Sequence, residues 1–242
     1  MKNNRRINKI AVLGSGLMGS GIALHLAGSG FEVLLLDLKS EGMPNKIATE
    51  SLQKSIAAKP SNIHHKSFIS RISLGNFDDD MSKIKDCDWV IEVIIERLDL
   101  KQQLYAKVEQ YRKKGSLISS NTSGIPIHFL IEGRSEDFRK NFCGTHFFNP
   151  PRYLKLLELI PTAETDPEVI QFFQEFGKNY LGKQTVVCKD TPAFIANRIG
   201  VVSMAKIFQL TQELGLSISD ADKLTGPAMG RPKSGTFRLT DL

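Results

Sequence analysis

Residues 7–38 read INKIAVLGSGLMGSGIALHLAGSGFEVLLLDL, and this stretch restricts the possible folds more than any other part of the chain. The apolar run IAVL (10–13) ends abruptly at Gly14. A short run of this kind suits a strand buried on both faces of a parallel sheet. Leu17, Ile22, Leu24 and Leu26 then fall at helix-like intervals, and GSG (28–30) ends that helix. FEVLLLD (31–37) returns as a second strand with Asp37 at its carboxyl end. Strand, turn, helix and strand make a βαβ unit.

Within that unit, GSGLMG (14–19) has the pattern G-x-G-x-x-G. The pattern carries weight because it follows a strand and opens a helix. Gly14 permits the tight turn, Gly16 lets the backbone approach a pyrophosphate, and Gly19 lets the helix pack on the strand. Leu17 and Met18 open the helix, whose free N–H groups and positive dipole end suit phosphates. Asp37 stands where an adenosine ribose would lie. Its carboxylate can accept from both ribose hydroxyls and would repel a 2′-phosphate, which favours NAD over NADP.

The same strand and helix signals continue along the chain. Strands are expected within 86–96, 116–124, 142–150, 155–161 and 184–190, and helices over 98–114 and 166–183. Residues 45–75 read as polar helix, with Pro60 and His64–His65 marking a loop. From residue 191 no strand follows, and 191–215 reads as one long helix. The expected fold is α/β: a Rossmann-type, mostly parallel, doubly wound sheet over 1–189, then the truncated start of an all-α second domain over 190–242. The chain stops after FRLTDL, as expected of a piece cut within that second domain.

Composition excludes several classes. The 242 residues carry 24% charged and 41% hydrophobic side chains with a formal charge of +6, an ordinary globular balance. No dense basic tract is interleaved with aromatics, so nucleic acid is not an expected partner. The three cysteines, Cys87, Cys143 and Cys188, are far apart, which argues against a disulfide framework or zinc site and suits a reducing, cytoplasmic location. His64 and His65 have no third ligand near them, so no metal is expected. The basic start MKNNRRINK precedes only four apolar residues, too few for an export signal. No apolar run approaches the roughly 18 residues of a membrane span.

Ligands of open parallel sheets bind at the carboxyl ends of the strands. Three polar groups fall at such ends: Ser119–Ser123, His146–Asn149 and Glu96. Glu158 lies on the following apolar strand among leucines, and a buried carboxylate needs a partner. His146 is the obvious one. A histidine with a carboxylate on one ring nitrogen keeps a fixed tautomer and offers the other nitrogen as a base. Oxidation of an alcohol by NAD needs such a base. The competing reading is a core histidine beside Phe147 and Phe148, with its hydrogen bonds satisfied. Those phenylalanines are expected to pack rather than to touch substrate.

Four stretches, VLGSGLMGSGIA, SSNTSG, GTHFFNPPRYLKLLEL and KDTPAFIANRI, stand in an order that resembles the L-3-hydroxyacyl-CoA dehydrogenases of fatty acid β-oxidation. The wording is most similar to bacterial members that carry an enoyl-CoA hydratase farther along the chain. The resemblance implies NAD-dependent oxidation of a 3-hydroxyacyl-CoA thioester. It implies His146 as general acid/base, Glu158 as its orienting carboxylate, Ser123 on the substrate 3-oxygen, and Asn197 completing the substrate site. Asn149 and Ser123 would lie near the nicotinamide, with Asp37, Glu96 and Lys101 on the cofactor side. Ser51 matches a coenzyme A contact. The lysine that follows it in the family falls at Ala58 here, with Lys59 beside it. Gly124 replaces a frequent second serine. A homodimer through the C-terminal domain of the full-length protein is implied, as is weak activity for this piece alone. Two alternatives stay open. One is a dehydrogenase of a small 3-hydroxy acid without CoA, against which HFFNP and Asn197 argue. The other is a non-catalytic NAD-binding member of the fold, against which His146 and Glu158 argue.

Overall fold

A computed structural model describes residues 5–231 and 233–240. They form two compact units, one ending at Phe194 and the other beginning at Ile195. The first unit is built on an eight-stranded sheet: β1 (Lys9–Leu13), β2 (Glu32–Asp37), β3 (Ile72–Asn76), β4 (Trp89–Glu92), β5 (Leu117–Ser120), β6 (Phe142–Phe147), β7 (Leu156–Pro161) and β8 (Gln184–Val187). The strand order is β3-β2-β1-β4-β5-β6-β7-β8, parallel throughout except for the β6–β7 pair.

β1 lies near the middle because its side chains suit burial on both faces. Ile10, Ala11, Val12 and Leu13 are all 0% exposed. Ile10 and Val12 join one core with Leu24 and Leu26 of α1 (Leu17–Gly28) and Phe173 and Phe176 of α6 (Pro167–Asn179). Ala11 and Leu13 join the opposite core with Leu104, Tyr105 and Val108 of α3 (Leu98–Tyr111). The alternating direction of strand side chains thus separates two helical layers around one sheet. The connection from β1 runs to β2 on one flank, and the path from β4 runs to β5 on the other. A crevice therefore opens between β1 and β4 at their carboxyl ends.

Three expectations require correction. The helix expected over 45–75 is shorter: α2 spans Lys46–Ala57, a 3-10 turn covers Lys66–Arg71, and ISLGN forms the edge strand β3. β3 pairs only with β2, so it lacks the continuous apolar run that marks the central strands. Two short helices, α4 (Ile127–Leu130) and α5 (Glu136–Lys140), lie between β5 and β6, where none was expected. The long helix begins later than residue 191. α7 spans Ala196–Glu213, after a turn in which Ala193 and Phe194 take positive φ values of 63° and 46°. That left-handed turn and Pro192 stop a helix from propagating through 191–194.

The second unit, taken by itself, is helical: α7, α8 (Ile218–Thr225) and α9 (Phe237–Thr240), with a 3-10 turn at Pro227–Met229. The Asp222 carboxylate accepts from the Thr236, Phe237 and Arg238 amides and so caps the start of α9. Phe208 meets Phe237 at 4.5 Å between ring centroids. No helix of the described residues is long and apolar enough to cross a membrane.

Candidate active site

The glycine turn between β1 and α1 forms a cradle. The Gly14 N–H donates to the Leu36 carbonyl at 2.8 Å, and Gly14 takes φ 106°. A Cβ there would meet the Val93 carbonyl oxygen at 2.6 Å. At Gly19 a Cβ would fall 1.8 Å from the Gly14 carbonyl oxygen, so the helix could not sit this close to the turn. Gly16 differs: no heavy atom lies within 4 Å of the position its Cβ would take. Gly16 is also the N-cap of α1, and no side chain caps that end. Free amides thus face open space, as an anionic group requires.

Asp37 reaches this turn from the end of β2. Its Oδ2 accepts from the Ser15 amide at 2.5 Å and the Ser15 hydroxyl at 2.6 Å, while Oδ1 accepts from the Leu38 amide at 2.7 Å. A cavity of about 460 Å³ runs past Gly14, Gly16, Asp37, Leu38, Phe77 and Leu100. A second cavity of about 630 Å³ continues past Leu17, Met18, Glu96, Lys101, Asn121 and Ser123. Both are lined by Gly16, Val93, Ile94 and Ile95, so they form one elongated cleft along the strand ends. A carboxylate at one end and uncapped amides in the middle fit a dinucleotide, with Leu17, Met18, Glu96 and Lys101 along its farther half.

The histidine lies on β6. Antiparallel pairing sets His146 directly opposite Glu158 on β7. Residues opposite each other in a ladder project to the same face. His146 Nδ1 consequently lies 2.8 Å from Glu158 Oε2. Both are buried, at 3% and 0% exposure. With the carboxylate on Nδ1, that nitrogen carries the proton and Nε2 keeps its lone pair, an assignment that follows from the hydrogen-bond network. Nε2 lies 3.1 Å from the Ser123 hydroxyl. Phe148 and Phe194 flank the imidazole at 4.4 and 5.6 Å between centroids. The Asn121 side-chain oxygen accepts from the Phe147 amide at 2.8 Å, which ties the β5 loop to the histidine strand.

Beneath Ser123 lies a buried charge network. Lys101 is 1% exposed, and its ammonium donates to Glu92 Oε1 at 2.6 Å and to the Ile94 carbonyl at 3.2 Å. It also lies 3.3 Å from Glu96 Oε2. Glu92, 0% exposed, further accepts from the Ile94 amide at 2.7 Å, the Tyr105 hydroxyl at 3.1 Å and the Ser120 hydroxyl at 2.6 Å. Burial first, and then the Glu92 charge, raise the Tyr105 phenol well above its ordinary range. For Glu96, burial pushes the pKa upward, but the Thr122 hydroxyl, Lys101 and the loop amides outweigh it and hold the carboxyl below its usual value.

The structure gathers His146, Glu158 and Ser123 into one hydrogen-bonded line, and Glu96 and Lys101 stand next to it. No hydrogen bond or ion pair of the described residues joins Asn149, Ser51 or Lys59 to that line. Asn149 is exposed after β6, Ser51 is half-buried on α2, and Lys59 is exposed beyond its end. Asn197 belongs to the second unit, half-buried in the first turn of α7. Sequence reasoning missed Glu92, Tyr105 and Phe194, and gave Asn121 no role beyond its place in the Ser119–Ser123 cluster. Glu92 had a signal: a lone carboxylate inside WVIEVII needs a partner as much as Glu158 does. Lys183 was missed too. Its ammonium donates to the carbonyls of Pro151 and Leu154, fastening the turn after the histidine strand, and burial lowers it to about 8.

Residues 9–191 match the model of the 3-hydroxyacyl-CoA dehydrogenase NAD-binding domain. A probable 3-hydroxyacyl-CoA dehydrogenase of Deinococcus radiodurans is 49% identical over 98% of this chain and 69% of its own length. A probable 3-hydroxyacyl-CoA dehydrogenase of Bacillus subtilis is 46% identical over 99% of this chain, which spans 32% of that longer protein. The crystal structure of (S)-3-hydroxybutyryl-CoA dehydrogenase from Ralstonia eutropha superposes with a TM-score of 0.76 at 28% identity, covering 94% of this chain and 79% of that one. The cradle at Gly14–Gly19, the mostly parallel sheet and these matches lead to one conclusion: the chain belongs to the 3-hydroxyacyl-CoA dehydrogenase family of fatty acid metabolism, and residues 9–191 are its NAD-binding domain.

Proposed function

We propose that this chain oxidises L-3-hydroxyacyl-CoA thioesters to 3-oxoacyl-CoA, with His146 as the general base. The line Glu158–His146–Ser123 at the strand ends carries this reading. NAD, when bound, supplies the hydride acceptor. The protein's part is the proton. His146 Nε2 takes it from the substrate hydroxyl, and the buried Glu158 carboxylate on Nδ1 keeps the tautomer and stabilises the imidazolium that forms. The Ser123 hydroxyl, 3.1 Å from Nε2, donates to the substrate 3-oxygen and so fixes its position beside the base. In the reverse direction the same imidazolium returns the proton to the 3-oxo oxygen. Phe148 and Phe194 limit water around the ring.

Gly14, Gly16, Leu17, Met18 and Gly19 would hold the pyrophosphate, Asp37 the adenosine ribose, and Glu96, Lys101, Ser123 and Asn149 the remaining, nicotinamide half. Ser51 and Lys59 would meet the coenzyme A portion, and Asn197 would complete the substrate site. A homodimer built through the helical unit and a cytoplasmic location belong to the same reading. The test is reduction of acetoacetyl-CoA by NADH, followed by absorbance, in the full-length enzyme. His146→Gln should lower turnover by roughly 10²–10⁴-fold, the usual cost of losing a general base. NADH affinity should stay intact. A near-normal rate would return His146 to a packing role.

A further inference from the structure

Two segments outside the strands reach His146. One is the loop after β5, whose Ser123 hydroxyl lies 3.1 Å from Nε2. The other follows β8 and brings the Phe194 ring to 5.6 Å from the imidazole. Asp190 joins these segments. The Ile127 amide donates to its Oδ1 at 2.8 Å and the His128 amide to its Oδ2 at 3.0 Å. Oδ2 also lies 2.5 Å from His128 Nδ1. The Asp190 side chain is 13% exposed, and Ile127 and His128 open α4. Past Asp190 the chain turns sharply. The Phe194 amide donates to the Thr191 carbonyl at 3.0 Å, and Ala193 and Phe194 both take the left-handed conformation. Residues with a Cβ stay in that conformation only where their surroundings hold them. Phe194 is 2% exposed and belongs to the same core as Ile118, Ile127 and Leu130, so both sides of the turn are held: its start by the Asp190 carboxylate, its end by burial of the ring.

We infer that Asp190 is a positioning residue: its carboxylate fastens the segment after β8 to the start of α4 and thereby holds the Phe194 ring on the His146 imidazole. This rests on the reading of His146 as the base. The ring matters to a base because it limits water beside the imidazolium that forms. The competing role is a cap for the free amides of α4 and nothing more. The two roles separate cleanly. A cap affects stability alone. A positioning residue acts through Phe194, so its loss moves the ring off the imidazole and costs nothing further once the ring is gone.

The experiment has two readouts. NMR of the isotope-labelled 242-residue chain follows the chemical shifts of the His146 ring protons, which sense a neighbouring aromatic ring whatever the catalytic role. The acetoacetyl-CoA assay on the full-length enzyme gives kcat and KM. The variants are Asp190→Ala, Asp190→Asn, Phe194→Ala, the double variant Asp190→Ala/Phe194→Ala, and His128→Ala. In Asp190→Ala the ring-proton shifts should move toward those of Phe194→Ala. Its kcat should fall about tenfold to a hundredfold, the scale of a misplacement of up to about an ångström, with KM within about threefold. The double variant should be no slower than Phe194→Ala alone. His128→Ala should stay within about twofold of the unaltered enzyme, because an exposed ion pair is weak and both amides still hold Asp190. Asp190→Asn keeps one carbonyl acceptor and should fall between Ala and the unaltered chain; it carries the same readouts if the alanine variant fails to fold. Unmoved His146 shifts overturn the inference, as do losses that multiply in the double variant or a loss confined to KM. His146→Gln in the same assay tests the underlying reading separately: a near-normal rate there removes the base but leaves the ring shifts standing, and unmoved shifts here leave the base in place.

Discussion

Replacing Lys101 by Met removes the one ammonium among the described residues in contact with Glu92, a carboxylate that has no access to water. Lys101 and Glu92 are 1% and 0% exposed, and their charged atoms lie 2.6 Å apart. Met keeps most of the apolar stem, so little packing volume is lost. What remains is a buried Glu92 charge without its counter-ion. Breaking a buried pair in this way costs about 3–5 kcal/mol. The lower end applies, because Glu92 keeps donors from the Ile94 amide, the Tyr105 hydroxyl and the Ser120 hydroxyl. Glu96 adds little, since it is partly in water. For a chain of this size, about 3 kcal/mol corresponds to a melting point lower by roughly 6–12 °C. Urea unfolding followed by far-UV circular dichroism measures the loss directly. The double variant Glu92→Gln/Lys101→Met supplies the control. A neutral amide keeps an acceptor for the Ile94 amide and can donate to Ser120 or Tyr105, whose hydroxyls can turn to accept. The double variant should recover about 2 kcal/mol relative to Lys101→Met, a coupling within the range of contacting residues. A loss below about 1 kcal/mol for Lys101→Met, or a double variant no more stable than the single, would refute the assignment of the cost to an orphaned charge.

If Asp37 holds the adenosine ribose as proposed, Asp37→Ala should weaken NAD and narrow the gap to NADP, because the carboxylate that would repel a 2′-phosphate is gone; isothermal titration with both cofactors checks this, and an unchanged ratio counts against it. Gly19→Ala should cost about 3 kcal/mol or more and abolish NAD binding, since its Cβ would lie 1.8 Å from the Gly14 carbonyl oxygen; thermal melting and the same titration read both effects. His25 sits buried on α1 with no well-formed hydrogen bond to either ring nitrogen, and burial first, then the Lys183 ammonium, lower its pKa to about 3, against a weak opposing pull from the Leu181 backbone. The unfolded chain therefore binds one more proton than the folded chain between about pH 6.5 and 3, and stability falls as pH drops through that window. From pH 7 to pH 5 the loss should be about 2 kcal/mol, and His25→Leu should flatten that part of the urea midpoint curve; an unchanged slope would show that the ring does not stay neutral.

Local signals settled the βαβ unit over residues 7–38. The turn at Gly14–Gly19 tolerates no Cβ at two positions, so the order of strand, helix and strand could be read from residues near one another. The central strands were legible for a similar reason. Burial on both faces demands a continuous apolar run, and β1, β2 and β4 each have one. β3 was not legible, because an edge strand beside a single neighbour needs no such run, and ISLGN looks like polar helix or loop. The start of α7 was hidden by two positive-φ residues that no periodicity reports. Around His146, the chain showed that Glu158 was an acid among leucines in need of a partner. The 2.8 Å contact, however, comes from a ladder register between β6 and β7, and a one-residue slip would turn one of the pair to the other face. Glu92, Lys101, Glu96 and the 122–125 loop come from β4, α3 and the end of β5, and they meet only once the sheet places those ends side by side. Sequence spacing encodes what lies on one element. Which buried charges face each other was decided by strand order and register, because those alone bring distant residues within hydrogen-bond reach.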